Sequence, residues 1–274
     1  MSADRFVLIT GATDGIGRAT AQRFAADGWS VLLHGRDDAR LRATQAAISA
    51  QTGNTSVDWV RADFASLRDV RALGAYLADN YDRLDVLVNN AGTLQPARQT
   101  SHDGHELTFA VNHLAPFVLT RALLPALRAT ASAQGQARIL NVAANGHLKV
   151  TLDFDDLQST VDYDGVKAYQ RSKLANVLFT KALARRLAGS AVNVNAVHPG
   201  VITTKVLMAG FGITGADPAD AAAAILQLAT AQDYAGVSGR YFDVTRERKG
   251  VAATQDDDLQ ERLWSVSEAL TATV

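Results

Sequence analysis

Short, almost uninterrupted apolar runs alternate along this chain with longer segments in which apolar residues recur every three or four positions. The first run is Phe6-Val7-Leu8-Ile9, and others follow at 30–34, 57–61, 84–88, 138–142, 192–197 and 239–242. Most of the segments between them are rich in Ala and Leu at helical spacing. A strand covered on both faces has no polar side to show, so continuous apolar strands separated by amphipathic helices predict a doubly wound parallel α/β sheet with helices on both faces. No internal repeat, low-complexity tract or Pro/Gly-rich linker divides the sequence, which predicts one domain over residues 1–274.

The connection after the first run carries the strongest chemical signal. It reads Thr10-Gly11-Ala12-Thr13-Asp14-Gly15-Ile16-Gly17 and leads into a helical stretch at 18–26. Gly11 lets the chain turn sharply, Gly15 lets backbone approach a ligand, and Gly17 lets helix pack on strand. The unpaired N–H groups of the helix's first turn then face an anion. Gly11, Thr13, Asp14, Gly15, Ile16 and Gly17 therefore form a candidate pyrophosphate site in a Rossmann-type fold, although the spacing Gly-x-x-x-Gly-x-Gly differs from the usual dinucleotide fingerprint. Taken alone, the segment also fits an ordinary strand-to-helix turn.

Charge and composition narrow the partners. A formal net charge of −1 offers no electrostatic case for nucleic acid. The absence of cysteine rules out disulfides and thiolate chemistry. Met1-Ser2-Ala3-Asp4-Arg5 leads directly into the first strand and leaves no room for a signal peptide. No apolar run approaches the roughly 20 residues of a membrane helix. The expectation is a soluble cytoplasmic protein without a membrane span.

At the end of the second strand, dinucleotide-binding folds place an acid on the ribose 2′-hydroxyl or an arginine on a 2′-phosphate. Here the sequence is His34-Gly35-Arg36, with no acid until Asp37. Arg36 therefore favours NADP(H), with NAD(H) as the alternative. A solvated arginine opening the next helix is the plainer reading.

Ala62-Asp63-Phe64 and Asn89-Asn90-Ala91-Gly92 bring the chain to a pattern that resembles the short-chain dehydrogenase/reductase family over nearly its whole length. The resemblance implies that Asp63, with Phe64 beside it, accepts from the adenine amine. It also implies that Asn90, Ala91 and Gly92 line the ribose. Asn112, amid Val111, Leu114 and Phe117, matches an asparagine that in the family distorts its helix and holds a water in a proton relay.

Tyr169 and Lys173 stand four apart in a helical stretch at 166–187, so both project from one face. A phenol of pKa near 10 is a poor acid/base at neutral pH, and a nearby ammonium stabilises its phenolate. Tyr169 can then exchange a proton with a substrate oxygen while hydride moves at the nicotinamide. Within the family the resemblance is to the retinol-dehydrogenase-like branch, through Asn112-His113-Leu114, Asp155-Asp156-Leu157 and Ser172-Lys173-Leu174-Ala175-Asn176.

One departure stands at Asn141-Val142-Ala143-Ala144-Asn145. The family pattern has a serine pair where this chain has Ala143 and Ala144, and a methyl group cannot donate a hydrogen bond to the substrate oxygen. By analogy with other polarised-oxygen sites, the loss costs about 10²- to 10³-fold in turnover, roughly 3 to 4 kcal/mol. Three outcomes are open. Tyr169 alone suffices; or Asn145, Thr151 or His147 supplies the bond, Asn145 being the first candidate because it is adjacent and has two donors; or the protein binds dinucleotide without turnover.

His198-Pro199-Gly200-Val201-Ile202-Thr203-Thr204 resembles the segment that grips the nicotinamide carboxamide, with Pro199 and Gly200 ending the strand, Ile202 acting through backbone and Thr204 through its hydroxyl. The loop that follows, to about Ala216, carries Val206, Leu207, Met208 and Phe211 among glycines. Those residues suit either a mobile lid over a lipophilic substrate or core and interface packing. Asp256-Asp257-Asp258 reads as helix N-terminal charge, and Trp264 as packing. His102, His105 and Glu106 lack a designed further ligand, so no metal is expected.

These readings converge on an NADP(H)-preferring oxidoreductase that interconverts a small, lipophilic alcohol and its carbonyl. A catalytically silent dinucleotide-binding protein, acting as a redox sensor or partner-binding module, is the alternative. The family resemblance implies a homodimer or homotetramer.

Overall fold

In the computed structural model, which describes residues 5–272, eight strands form a single sheet in the order β3-β2-β1-β4-β5-β6-β7-β8. They are β1 (Phe6–Ile9), β2 (Ser30–Gly35), β3 (Val57–Arg61), β4 (Val86–Asn89), β5 (Ala137–Val142), β6 (Val192–His198), β7 (Tyr241–Asp243) and β8 (Arg246–Arg248). Strands β1 to β7 pair in parallel, while β8 runs antiparallel along the edge against β7. The apolar pattern missed β8 because Arg246, Glu247 and Arg248 are all exposed. Charge on an edge strand discourages further strand addition, and it also erases the alternation by which strands are read. Met1–Asp4, which entered the leader argument, lie outside the described residues.

Alternate strand residues feed two cores. Val7, Ile9, Val31 and Leu33 face α1 (Gly15–Ala26), α2 (Asp38–Thr52) and α8 (Pro218–Thr230). Leu8, Leu32, Leu87 and Ile139 face the other layer, which contains α3 (Leu67–Asn80), α5 (Ala115–Gln134), α6 (Gly165–Arg186) and α9 (Asp257–Thr271). The result is a single α/β domain, doubly wound about the β1–β4 junction. There the strand order reverses, and the carboxyl ends of neighbouring strands diverge to leave a crevice.

The entry to α5 is irregular. A short α4 (Leu107–Phe109) passes into a π-helical turn at Ala110–Leu114 before α5 begins. The combined helix Leu107–Gln134 is long and apolar enough to cross a membrane, which corrects the expectation that no such run exists, but 67% of its most apolar window is buried inside the fold. Its apolar residues serve the core.

Candidate active site

A cleft of ≈ 760 Å³ runs along the carboxyl ends of the central strands, with Arg36 and Asp63 at one end and Tyr169 and Lys173 at the other. Its floor is the glycine turn. Gly11 has φ 66° and Gly15 has φ 47°. A Cβ on Gly17 would lie 2.2 Å from the Gly11 carbonyl oxygen and 2.4 Å from Asn90 Nδ2, and one on Gly11 would lie 2.8 Å from Ala91 Cα. At those points backbone meets backbone or the Asn90 side-chain amide. Over Gly15 the nearest atom is a Thr204 methyl at 3.4 Å, so space remains above the first turn of α1. That cradle, with Thr13, Asp14 and Ile16 on the same wall, fits a dinucleotide's phosphates.

The β1–β4 junction is tied by Asn90, expected only at the ribose, and by Thr10, to which no role was assigned. The Thr10 hydroxyl accepts from the N–H groups of Asn90 and Ala91, each at 3.0 Å, and Asn90 Nδ2 donates to the Thr10 carbonyl at 2.8 Å. Buried His34 links three strands. Its Nδ1 accepts from Gly11 N at 3.4 Å, which makes Nε2 the protonated nitrogen, donating to the Ala62 carbonyl at 3.1 Å. Burial lowers its pKa to about 4, so the ring is neutral.

Arg36 is exposed at the cleft rim, and the nearby Asp37 is turned away into its own helix, where Oδ1 caps α2 by accepting from Arg40 N at 2.9 Å. Asp63 accepts from Ala65 N at 3.0 Å, and Phe64 stacks on His34 with centroids 4.2 Å apart. Arg40 and Lys205 are further cations here, lying 3.1 Å and 2.5 Å from Asp14 Oδ2. Asp14 caps α1 through Gly15 N, and the hydrogen bond from Lys205 is the main reason its carboxyl titrates below the usual range. Neither cation carries a sequence motif; the fold brings them together from α2 and from the segment after β6.

At the other end, Lys173 is buried and its Nζ donates to the Val142 carbonyl at 2.8 Å, lying 5.6 Å from the centre of the Tyr169 ring. Burial raises the Tyr169 phenol to about 12 and lowers the Lys173 ammonium to about 8. The expected depression of the tyrosine pKa is therefore absent in this state, because desolvation outweighs an ammonium bound elsewhere. Asn112 lies in the π-helical turn with its amide fully engaged: Oδ1 accepts from Thr93 N at 2.7 Å, while Nδ2 donates to the Thr93 carbonyl at 3.0 Å and to Ser172 Oγ at 2.9 Å. Gly92 lies beside both groups, a Cβ there falling 3.4 Å from Asn112 Oδ1 and 3.5 Å from Lys173 Nζ, which is ordinary contact.

Of the three substitutes for the missing serine, only Asn145 lines the cleft, beside Ala143 and Ala144. His147 is fully buried behind it, with Nδ1 2.7 Å from the Ala144 carbonyl. Thr151 is exposed outside the cleft. Pro199, Gly200, Ile202 and Thr204 line the far wall, and Ile202 bridges to Ala216. The Thr204 hydroxyl caps a short helix, accepting from Leu207 N at 3.1 Å. That helix, α7 (Lys205–Phe211), replaces the open loop expected here and has no buried residue. His102 and His105 do not converge with Glu106, whose carboxylate caps α4 while His105 bonds the Leu270 carbonyl.

A family model described as short chain dehydrogenase matches residues 5–211. The chain is 39% identical over 281 residues to retinol dehydrogenase 13 of Homo sapiens, covering 96% of this chain and 83% of that protein. It is 35% identical over 281 residues to polyprenol dehydrogenase of Homo sapiens, covering 98% and 85%. An NADP active-site complex of RhlG from Pseudomonas aeruginosa aligns with a TM-score of 0.73 at 28% identity, covering 88% of this chain and 95% of that one. With the match running from β1 to the end of α7 over a cleft of this construction, the chain belongs to the short-chain dehydrogenase/reductase family, oxidoreductases that act at CH–OH and C=O groups with a nicotinamide dinucleotide.

Proposed function

We propose that residues 1–274 act as one dinucleotide-binding and catalytic domain, an NADP(H)-preferring oxidoreductase that interconverts a lipophilic alcohol and its carbonyl with Tyr169 as acid/base. The observation that carries this reading is that Tyr169 and Lys173 line one end of the cleft, with Asn112 buried behind them and bonded to Ser172, while the glycine cradle forms the other end. Arg36 at the rim, and an Asp37 carboxylate occupied by its own helix, support the 2′-phosphate preference. Two of the relatives are named for retinol and polyprenol, which supports a lipophilic substrate, as do Leu94, Val206, Leu207 and Phe211 along the cleft.

When bound, the nicotinamide supplies hydride transfer at its C4. Gly11, Gly15 and Gly17 hold the phosphates, Asp63 and Phe64 flank the adenine, and Asn90, Ala91 and Gly92 line the ribose. Pro199, Gly200, Ile202 and Thr204 border the nicotinamide, and Lys173 reaches its ribose. Asn112, through Thr93 and Ser172, orders the floor beneath Tyr169. Burial keeps the phenol protonated at neutral pH, the form from which a proton passes to a carbonyl oxygen. Carbonyl reduction would use this protonated form, while alcohol oxidation would use the phenolate, which the added positive charge of the oxidised cofactor would favour.

Single-turnover oxidation of NADPH against retinaldehyde, nonanal and a panel of ketones tests this, with Tyr169→Phe as the internal comparison. The expected loss is about 10²-fold or more; undiminished activity would remove Tyr169 from the role. Tighter binding of NADH than NADPH, or unchanged selectivity in Arg36→Ala, overturns the cofactor preference. Ala144 in the cleft favours a second reading, a dinucleotide-binding sensor without turnover. That reading takes the lead where the natural chain binds NADPH but reacts only as Ala144→Ser. Cytoplasmic placement and a homodimer or homotetramer belong to the same proposal, tested by cell fractionation and light scattering.

A further inference from the structure

The floor beside Ala143–Ala144 is backed by a small sealed cluster that the proposed chemistry has not used. Tyr241, 2% exposed on β7, directs its hydroxyl to Asn145 Oδ1, and the ring of His147, 0% exposed, meets the Tyr241 ring edge-on at 4.7 Å and 80°. The partners determine the hydrogens. The Ala144 carbonyl can only accept, so His147 carries its proton on Nδ1 and holds its place by donating there. The Tyr241 hydroxyl has no other hydrogen-bond partner among the described residues, so its hydrogen goes to Asn145, and the amide atom that receives it is the oxygen. The amide nitrogen is thereby turned the other way. Asn145 Nδ2 makes no bond within the described residues and is not among their buried unpartnered atoms, while Asn145 lines the same cleft as Tyr169 and Lys173.

We infer that Tyr241 is a positioning residue that locks the Asn145 amide with its N–H₂ toward the cleft, making Asn145 the hydrogen-bond donor to the substrate oxygen in place of the missing serine. The inference rests on the oxidoreductase reading above. An unheld asparagine at that position presents C=O as readily as N–H₂, and a carbonyl turned toward the substrate oxygen repels it. Fixing the flip converts an ambiguous side chain into a donor. Its reach from the strand end after Val142 is longer than that of a serine, and the backing pair behind it removes the freedom that the extra length adds.

Tyr241→Phe removes only the hydroxyl and keeps the ring against His147. With NADPH and retinaldehyde or nonanal, the expected result is a fall in kcat of about 10-fold or more with NADPH Kd and thermal midpoint unchanged. Asn145→Ala falls at least as far, the double variant falls no further than Asn145→Ala, and Ala144→Ser restores Tyr241→Phe. A Tyr241→Phe enzyme with the kcat of the natural chain overturns the inference, as does a double variant in which the two losses multiply. A second readout needs no turnover. The side-chain amide resonances of Asn145, assigned by their loss in Asn145→Ala, are dispersed and collapse toward the free-asparagine position in Tyr241→Phe; unchanged resonances count against the lock. If neither carbonyl is reduced even by Ala144→Ser, the oxidoreductase reading fails and the donor role with it, while the amide resonances still decide whether Tyr241 locks the Asn145 amide.

Discussion

Gly17 shows how little freedom some single positions have. Its hydrogen faces a carbonyl oxygen and an amide nitrogen at distances no carbon tolerates, and both groups belong to the junction that holds the cleft open. Gly17→Ala is expected to weaken NADPH binding by about 10²-fold or more, since shifting the Asn90–Thr10 ties displaces the phosphate cradle; cofactor fluorescence titration measures it, and affinity within twofold of the natural chain would contradict it. Lys173 provides a pH test. Its pKa is near 8 in the folded chain, below the ordinary 10.5. Between those values the unfolded chain binds more protons than the folded one, so stability rises with pH through that window, and below it the burial penalty is constant. Relative to Lys173→Met, the natural chain should gain roughly 2 kcal/mol from about pH 8 to about pH 10 in urea unfolding. No gain would mean that the ammonium is hydrated in solution. Tyr169 and Lys173 were legible in the sequence because their spacing puts both on one helix face. Their opposite pKa shifts were not, because desolvation depends on what the rest of the chain packs around them.

Among the elements, α7 is the one whose state the cofactor is expected to change. It is a seven-residue helix with no buried residue, capped by Thr204 and ended by Gly212 at φ 63°. Its close approach to the body is at Gly210, where a Cβ would fall 2.5 Å from Leu94 Cδ1. So short a helix with no fully buried residue has little stability of its own. Its amides should exchange within seconds in the free protein and become protected by about tenfold or more with NADPH and a carbonyl ligand bound. Equal protection in both states would make it a fixed wall instead of a lid. The apolar residues of this segment pointed to a role near substrate, but its helicity was hidden because glycines and a short apolar run read as loop. The π-helical turn at Ala110–Leu114 agrees with the helix distortion that the family resemblance implied at Asn112, but local pattern alone did not show it, since Asn112 takes partners from Thr93 and Ser172, which lie far from it in the chain.

For the whole molecule, α9 closes one face of the fold although it lies beyond the residues that match the family model. Trp264 sits against Phe117 and Phe179 at ring-centre distances of 5.0 and 5.9 Å, with the Arg186 guanidinium 3.8 Å over its ring. His113 reaches Ser267 at 2.7 Å, and Glu268 pairs with Arg121 at 3.0 Å. Trp264→Ala should cost about 3 to 5 kcal/mol by opening a cavity between α5, α6 and α9. Urea unfolding checks this, with NADPH affinity kept because the cleft lies at the strand ends; a loss below about 1 kcal/mol would mean that α9 is only loosely docked. The sequence by itself determined the doubly wound sheet, the glycine cradle, and Tyr169 and Lys173 as a pair, because each is written in local spacing: apolar runs, turn glycines and one helical repeat. Only the tertiary structure decided the neutral His34 bridge, the Arg40–Asp14–Lys205 cluster, the charged edge strand and the meeting of Tyr241 with Asn145. Each of these depends on groups far apart in the chain meeting where strand ends diverge, and the burial and hydrogen bonding that set their chemistry exist only once they have met.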